Sequence, residues 1–145
     1  MSAVRQLLQR KGSHVYCISE HASVLEAARL MNEHRIGALM VVDDGRLVGI
    51  FTERDILQRV VAEQREPAST PVSEVMTTDL VCCRPETTIE EARGAMKNRR
   101  LRHLPVIEGD GTLIGLVSIG DLNAYCAADN EYTIHLLQEY LHGRM

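Results

Sequence analysis

The seven residues Gly49-Ile50-Phe51-Thr52-Glu53-Arg54-Asp55 return as Gly115-Leu116-Val117-Ser118-Ile119-Gly120-Asp121, 66 positions on (115 minus 49). Upstream the offset is 65, pairing Cys17 with Cys82, Glu26 with Glu91, Ala27 with Ala92, Met31 with Met96 and Val41 with Val106. One extra residue in the second turn, Glu108-Gly109-Asp110-Gly111 against Asp43-Asp44-Gly45, accounts for the change. A 145-residue chain that carries one pattern twice folds as two like units, each too small to bury a good core alone and therefore sharing an interface.

Each half reads as strand, helix, strand, turn, strand, helix. The expected strands lie at 15–18, 38–42, 47–51, 104–107 and 113–117, with a further short one around Cys82-Cys83. Ser23 with Glu26 and Thr88 with Glu91 have the spacing of a capping box, so a helix should start at each. Val24, Ala27, Ala28 and Met31 share one helical face, as do Ile89, Ala92 and Met96; these are core faces. The segment 62–71, bracketed by Pro67 and Pro71, reads as a linker. The expected divisions are an N-terminal helix at 1–10 (Val4, Leu7, Leu8), a first unit at 11–61, the linker at 62–71, a second unit at 72–127, and a C-terminal helix at 128–145 (Ile134, Leu137, Leu141). Helices this short need a packing partner, either the body of the protein or a second subunit.

A formal net charge of -4 disfavours an extended nucleic-acid surface, while a local basic cluster remains compatible with one anionic ligand. No run of about 18 apolar residues is present for a membrane span, and the first ten residues lack a hydrophobic signal core, so a cytoplasmic location is expected. The four cysteines do not form a disulfide framework. Cys17, His14 and His21 lack the paired spacing of a metal site, and no metal is expected. Neither an activated nucleophile, nor a pair of carboxylates in separated environments, nor a Walker pattern is evident, and so a non-enzyme is expected.

Taken singly, Thr52-x-x-Asp55 and Ser118-x-x-Asp121 are ordinary helix starts. Three features argue for more. The acidic residue is Asp twice, where the longer Glu is the usual back-bonding partner. A glycine precedes the hydroxyl by three residues in both copies, inside a strand, where it suits a close approach to the backbone. Both features are duplicated. Unpaired N–H groups at a helix start suit a phosphate, and an Asp one turn in suits a ribose diol.

The duplicated motif, Val75-Met76-Thr77 opening the second unit and Arg102-His103-Leu104-Pro105-Val106 leading its central strand together resemble a tandem pair of CBS domains, a Bateman module, from about Lys11 to Ala124. The resemblance implies an α/β (α+β) fold of two β-α-β-β-α units packed sheet to sheet about a pseudo-twofold axis, with flanking helices. It implies two clefts that hold an adenine nucleotide such as AMP, NAD or ATP, with no catalytic cofactor. Asp55 and Asp121 would then bind ribose hydroxyls, and Thr52 and Ser118 would face phosphate or ribose. Lys11-Gly12, Thr52-Glu53-Arg54-Asp55, Arg100-Leu101-Arg102-His103 and the segment 137–143 resemble stand-alone pairs of bacteria and plant organelles, which implies a regulatory homodimer acting on an unidentified target protein.

The two clefts are expected to differ. Ile36-Gly37-Ala38-Leu39 in the first stands where Leu101-Arg102-His103-Leu104, followed by Pro105, stands in the second. Arg102 and His103 are thus the candidates for phosphate neutralisation, with Arg54 and Lys11 as further ones. Lys97 and Arg99 fit a solvated helix end. The alternatives are a ligand-independent interaction module, in which Asp55 and Asp121 merely cap helices, and a redox-responsive one through Cys82 or Cys83.

Overall fold

A computed structural model describes residues 2–128. The C-terminal helix expected from the pattern of Ile134, Leu137 and Leu141 lies outside the described residues. In chain order the elements are α1 (Val4–Lys11), β1 (Cys17–Ser19), α2 (Val24–His34), β2 (Ala38–Asp43), β3 (Arg46–Thr52) and α3 (Glu53–Asp55), which runs on as a π-helical stretch (Ile56–Val61). Short 3-10 turns follow (Pro67–Ser69, Val72–Glu74), then α4 (Ile89–Arg99), β4 (His103–Ile107), β5 (Leu113–Ser118) and α5 (119–128).

The first sheet has the order β1-β2-β3, with β1 parallel and β3 antiparallel to β2. The second is the β4-β5 hairpin. Its expected third strand shrinks to one parallel bridge, Cys83 to Val106. Pro105 explains the loss: its counterpart Met40 donates its N–H to the Tyr16 carbonyl at 3.1 Å, and a proline has none to give. Both hairpins carry a register shift at matching positions, after Val41 and after Val106. Ser23 and Thr88 cap α2 and α4 through the backbone N–H of Glu26 and Glu91, each at 3.1 Å, as their spacing predicts.

The units exchange their opening segments. Val4, Leu7 and Leu8 of α1 are buried in the second unit's core with Ile89, Met96, Leu104 and Val117. Val72 and Val75 are buried in the first unit's core with Val24, Leu39 and Phe51. Matching backbone contacts hold each exchange, Ala3 bridging Thr88 and Pro71 bridging Ser23. Full burial of a side chain such as Leu7 stabilises by about 1.5–3 kcal/mol, so the packing partner of α1 is the body of the protein. The segment 62–71 is likewise built in: Thr70 is buried, and its carbonyl accepts from Val24 N at 2.8 Å.

These bridges also align the opening segments. Val4-x-x-Leu7-Leu8 matches Val72-x-x-Val75-Met76 at an offset of 68 (72 minus 4), whereas from Gly12 and Thr77 onward the offset is 65 (77 minus 12). Helix α1 therefore has one additional turn, Gln9-Arg10-Lys11, that the other unit lacks. At the hairpin tips, Leu47 N donates to Gly111 O and Leu113 N to Gly45 O, both at 3.3 Å. These bonds exchange under the 66-residue offset, the signature of a pseudo-twofold relation between the hairpins.

Candidate functional site

Strands β3 and β5 end on Thr52 and Ser118, where the chain turns into α3 and α5. Both hydroxyls accept from the Asp three residues on, Asp55 N to Thr52 Oγ1 at 3.2 Å and Asp121 N to Ser118 Oγ at 3.0 Å. Both carboxylates return the bond, Thr52 N to Asp55 Oδ2 at 3.0 Å and Ser118 N to Asp121 Oδ2 at 2.9 Å. The choice of Asp over Glu therefore does not speak against capping, because the shorter side chain closes the box in both copies. A Cβ on Gly49 would meet the Met76 side chain at 2.5 Å, and one on Gly115 would meet Leu8 at 2.9 Å. What approaches the strands so closely is the exchanged opening segments, not a ligand.

Beyond the caps the two copies diverge. Asp55 is only 5% exposed; Thr77 Oγ1 donates to its Oδ1 at 3.0 Å and reaches its Oδ2 at 3.3 Å, and Arg59 Nε lies 3.8 Å from Oδ1. Thr77 is itself held by paired backbone bonds with Ile50, at 2.8 and 2.9 Å. Asp121 has no such neighbour among the described residues; Lys11 Nζ donates to its Oδ2 and to the Leu116 carbonyl, both at 2.8 Å. Leu116 is the counterpart of Ile50, so one lysine ammonium satisfies both groups that Thr77 satisfies in the first unit. Asp121 Oδ1 accepts no hydrogen bond among the described residues. Burial alone pushes the Asp121 carboxyl up, but the Lys11 bond and charge and the Ser118 N–H outweigh it and hold it below the ordinary carboxylate range.

His103 is half-buried at the start of β4, and its electrostatic neighbours are Asp121, Arg102, Lys11 and Glu53. Burial pushes its pKa down, so at neutral pH it presents a neutral imidazole, not a cation. Of the residues expected to neutralise a phosphate, Lys11 and exposed Arg102, whose carbonyl accepts from Ile119 N at 2.9 Å, are the cationic ones beside His103. A cleft of about 160 Å³ beside Asp121 is lined by Leu7, Arg10, Lys11, Ala124 and Tyr125. Arg10 stands over the Tyr125 ring, 4.5 Å from its centroid.

On the first unit a cleft of about 520 Å³ lies between α2 and α3, lined by Met31, Asn32, Arg35, Gly37, Glu53 and Ile56. Neither Thr52 nor Asp55 lines it. Gly37 receives Glu53 N on its carbonyl at 3.0 Å, and the Glu53 carboxylate would lie 3.1 Å from a Cβ there. Ala38, Leu104 and Pro105 are buried, and Arg54 is exposed. The structure thus brings Lys11, Ser118, Asp121 and His103 together, and leaves Asp55 sealed under Thr77. Sequence reasoning missed Thr77, Arg59, Arg10 and Tyr125 as site residues. The signal for Thr77 was present, since the repeat offset sets it against Gly12, which has no hydroxyl.

The CBS-domain family model matches twice, over residues 4–62 and 72–128. The chain belongs to the CBS-domain family. As a CBS pair it is similar to the CBS domain-containing protein YhcV of Bacillus subtilis, 39% identical over 122 residues that span 84% of each chain. A protein with CBS domains from Burkholderia ambifaria has a like structure, with a TM-score of 0.82, 41% identity, and coverage of 88% of this chain and 96% of the other. The CBS-CP12 protein from bloom-forming cyanobacteria, which is hexameric, is 30% identical with a TM-score of 0.71, covering 83% of this chain and 65% of that one. A CBS pair is in general a regulatory module. No helix among the described residues is long and apolar enough to cross a membrane.

Proposed function

We propose that this CBS pair is a non-catalytic cytoplasmic regulator that senses an adenine nucleotide, AMP in the first place, with NAD or ATP as alternatives, and passes the signal to a partner protein. The observation that carries the reading is the Lys11–Asp121 pair at the start of α5. A carboxylate with a free oxygen suits a ribose diol, and an ammonium 2.8 Å away suits the phosphate that follows it. Binding would act by differing affinity for two arrangements of the units. Purification from cells with mass spectrometry of the co-purified small molecules, followed by calorimetric titration with AMP, ATP and NAD, tests it. Absence of binding at millimolar concentration sinks the sensing role.

The capping boxes favour a second reading, a ligand-independent interaction module, in which the same titrations stay silent while partner binding persists. Homodimerisation belongs to either reading. Leu57 and Val61, 63% and 61% exposed on the π-helical stretch of α3, form an apolar face suited to a second copy, and the hexameric state of the CBS-CP12 protein supports this reading. Replacing both by Asp and measuring mass by sedimentation checks this; an unchanged dimer places the interface elsewhere.

A further inference from the structure

The two capping boxes have the same frame and different groups on their carboxylates. In the first, Thr77 reaches Asp55 from a backbone locked to Ile50 by two hydrogen bonds, and its hydroxyl takes the carboxylate oxygen that a diol needs. Freeing the carboxylate means turning the Thr77 hydroxyl away and opening a group that is only 5% accessible, beneath a backbone that the paired Ile50 bonds keep in place. In the second, Gly12 stands at the position of Thr77 and supplies no hydroxyl. The additional turn of α1 instead sends in Lys11, whose ammonium sits on a flexible stem, with its side chain one third exposed. A side chain of this kind leaves one partner for another at little conformational cost.

We propose that the turn Gln9-Arg10-Lys11 makes the Asp121 cleft, and not the Asp55 position, take the ligand: Lys11 is a displaceable stand-in on Asp121 that moves to the ligand phosphate, whereas Thr77, on a fixed backbone, keeps Asp55 covered. The inference rests on the nucleotide-sensing reading and sharpens it to one nucleotide per chain. The same turn supplies Arg10, whose guanidinium on Tyr125 forms the cleft wall next to Lys11. When a ribose diol engages Asp121, the freed ammonium keeps an anionic partner only if the ligand carries phosphate. Lys11 therefore discriminates AMP from adenosine.

The test is calorimetric titration of the full chain, its Lys11→Met variant and its Lys11→Arg variant with AMP and, separately, with adenosine. The wild-type chain should take one equivalent of AMP. Lys11→Met should weaken AMP about tenfold or more, the loss of one charge-assisted hydrogen bond, while adenosine binds as well as before or more tightly. Lys11→Arg should restore part of the preference. Two equivalents per chain, equal weakening of AMP and adenosine, or AMP binding indifferent to Lys11→Met would each overturn the assignment while leaving nucleotide sensing intact. Silence of the wild-type chain toward both probes overturns this assignment, and silence toward ATP and NAD as well removes the sensing reading with it.

Discussion

Met76 fills the space that a side chain on Gly49 would need, its sulfur lying 2.5 Å from where a Cβ would stand. Because Met76 belongs to the segment that opens the second unit and Gly49 to a strand of the first, this contact measures the exchange between units. Gly49→Ala should cost about 1–3 kcal/mol through overpacking, read as a lowered denaturation midpoint. The double variant with Met76→Ala should cost less than the sum of the single changes. Additive costs would mean that the two positions do not meet.

Asp55 and Asp121 close identical capping boxes but should differ in what their loss does to stability. Asp55→Ala strands the Thr77 hydroxyl and the Thr52 N–H in a buried setting, with an expected cost of about 1–3 kcal/mol. Asp121→Ala removes a half-exposed cap, with an expected cost of about 1 kcal/mol. Urea denaturation of both variants decides the matter, and equal costs would contradict the asymmetry.

His103 couples stability to pH. Its folded pKa lies below the unfolded value of about 6.5, chiefly through burial, so the unfolded chain binds the proton first. Its stabilising contribution is complete above the unfolded value and is lost as pH falls through the folded one. The melting temperature should thus decline below about pH 6.5, and His103→Asn should flatten part of that decline. An identical pH profile in the variant would assign it to other groups.

The cysteines bear on the redox alternative. Burial, with Cys82 adding to it, pushes the Cys83 thiol up to about 12, and burial raises Cys82 as well, so neither offers much thiolate near neutrality. Ellman's reagent should reach exposed Cys17 first in the native protein, with Cys83 reacting only on unfolding. Rapid native labelling of Cys83 would revive a redox role.

Much of the fold was legible in the residue pattern. The 65- and 66-residue offsets, the Ser23 and Thr88 caps and the alternation within the hairpins are local, and local chemistry sets them. What the pattern missed at Cys82-Cys83 traces to a remote residue, since Pro105 removes an N–H that the ladder needed. The candidate site was legible in part. The Ser118–Asp121 motif, Lys11 and His103 do converge, but Gly49 and Gly115 pointed to packing by Met76 and Leu8.

The sequence by itself therefore determined the duplication, the helix starts and the inequality of the two halves, because repeats, caps and substitutions are written along the chain. Only the tertiary structure decided that the opening segments are exchanged, that Thr77 seals Asp55 and that Lys11 holds Asp121. Those contacts join residues 22 and 110 positions apart. Which of several hydroxyls or ammonium groups reaches a carboxylate depends on where the buried faces of Val4, Leu7, Val72 and Val75 lock the backbone, and packing settles that only once both cores have closed.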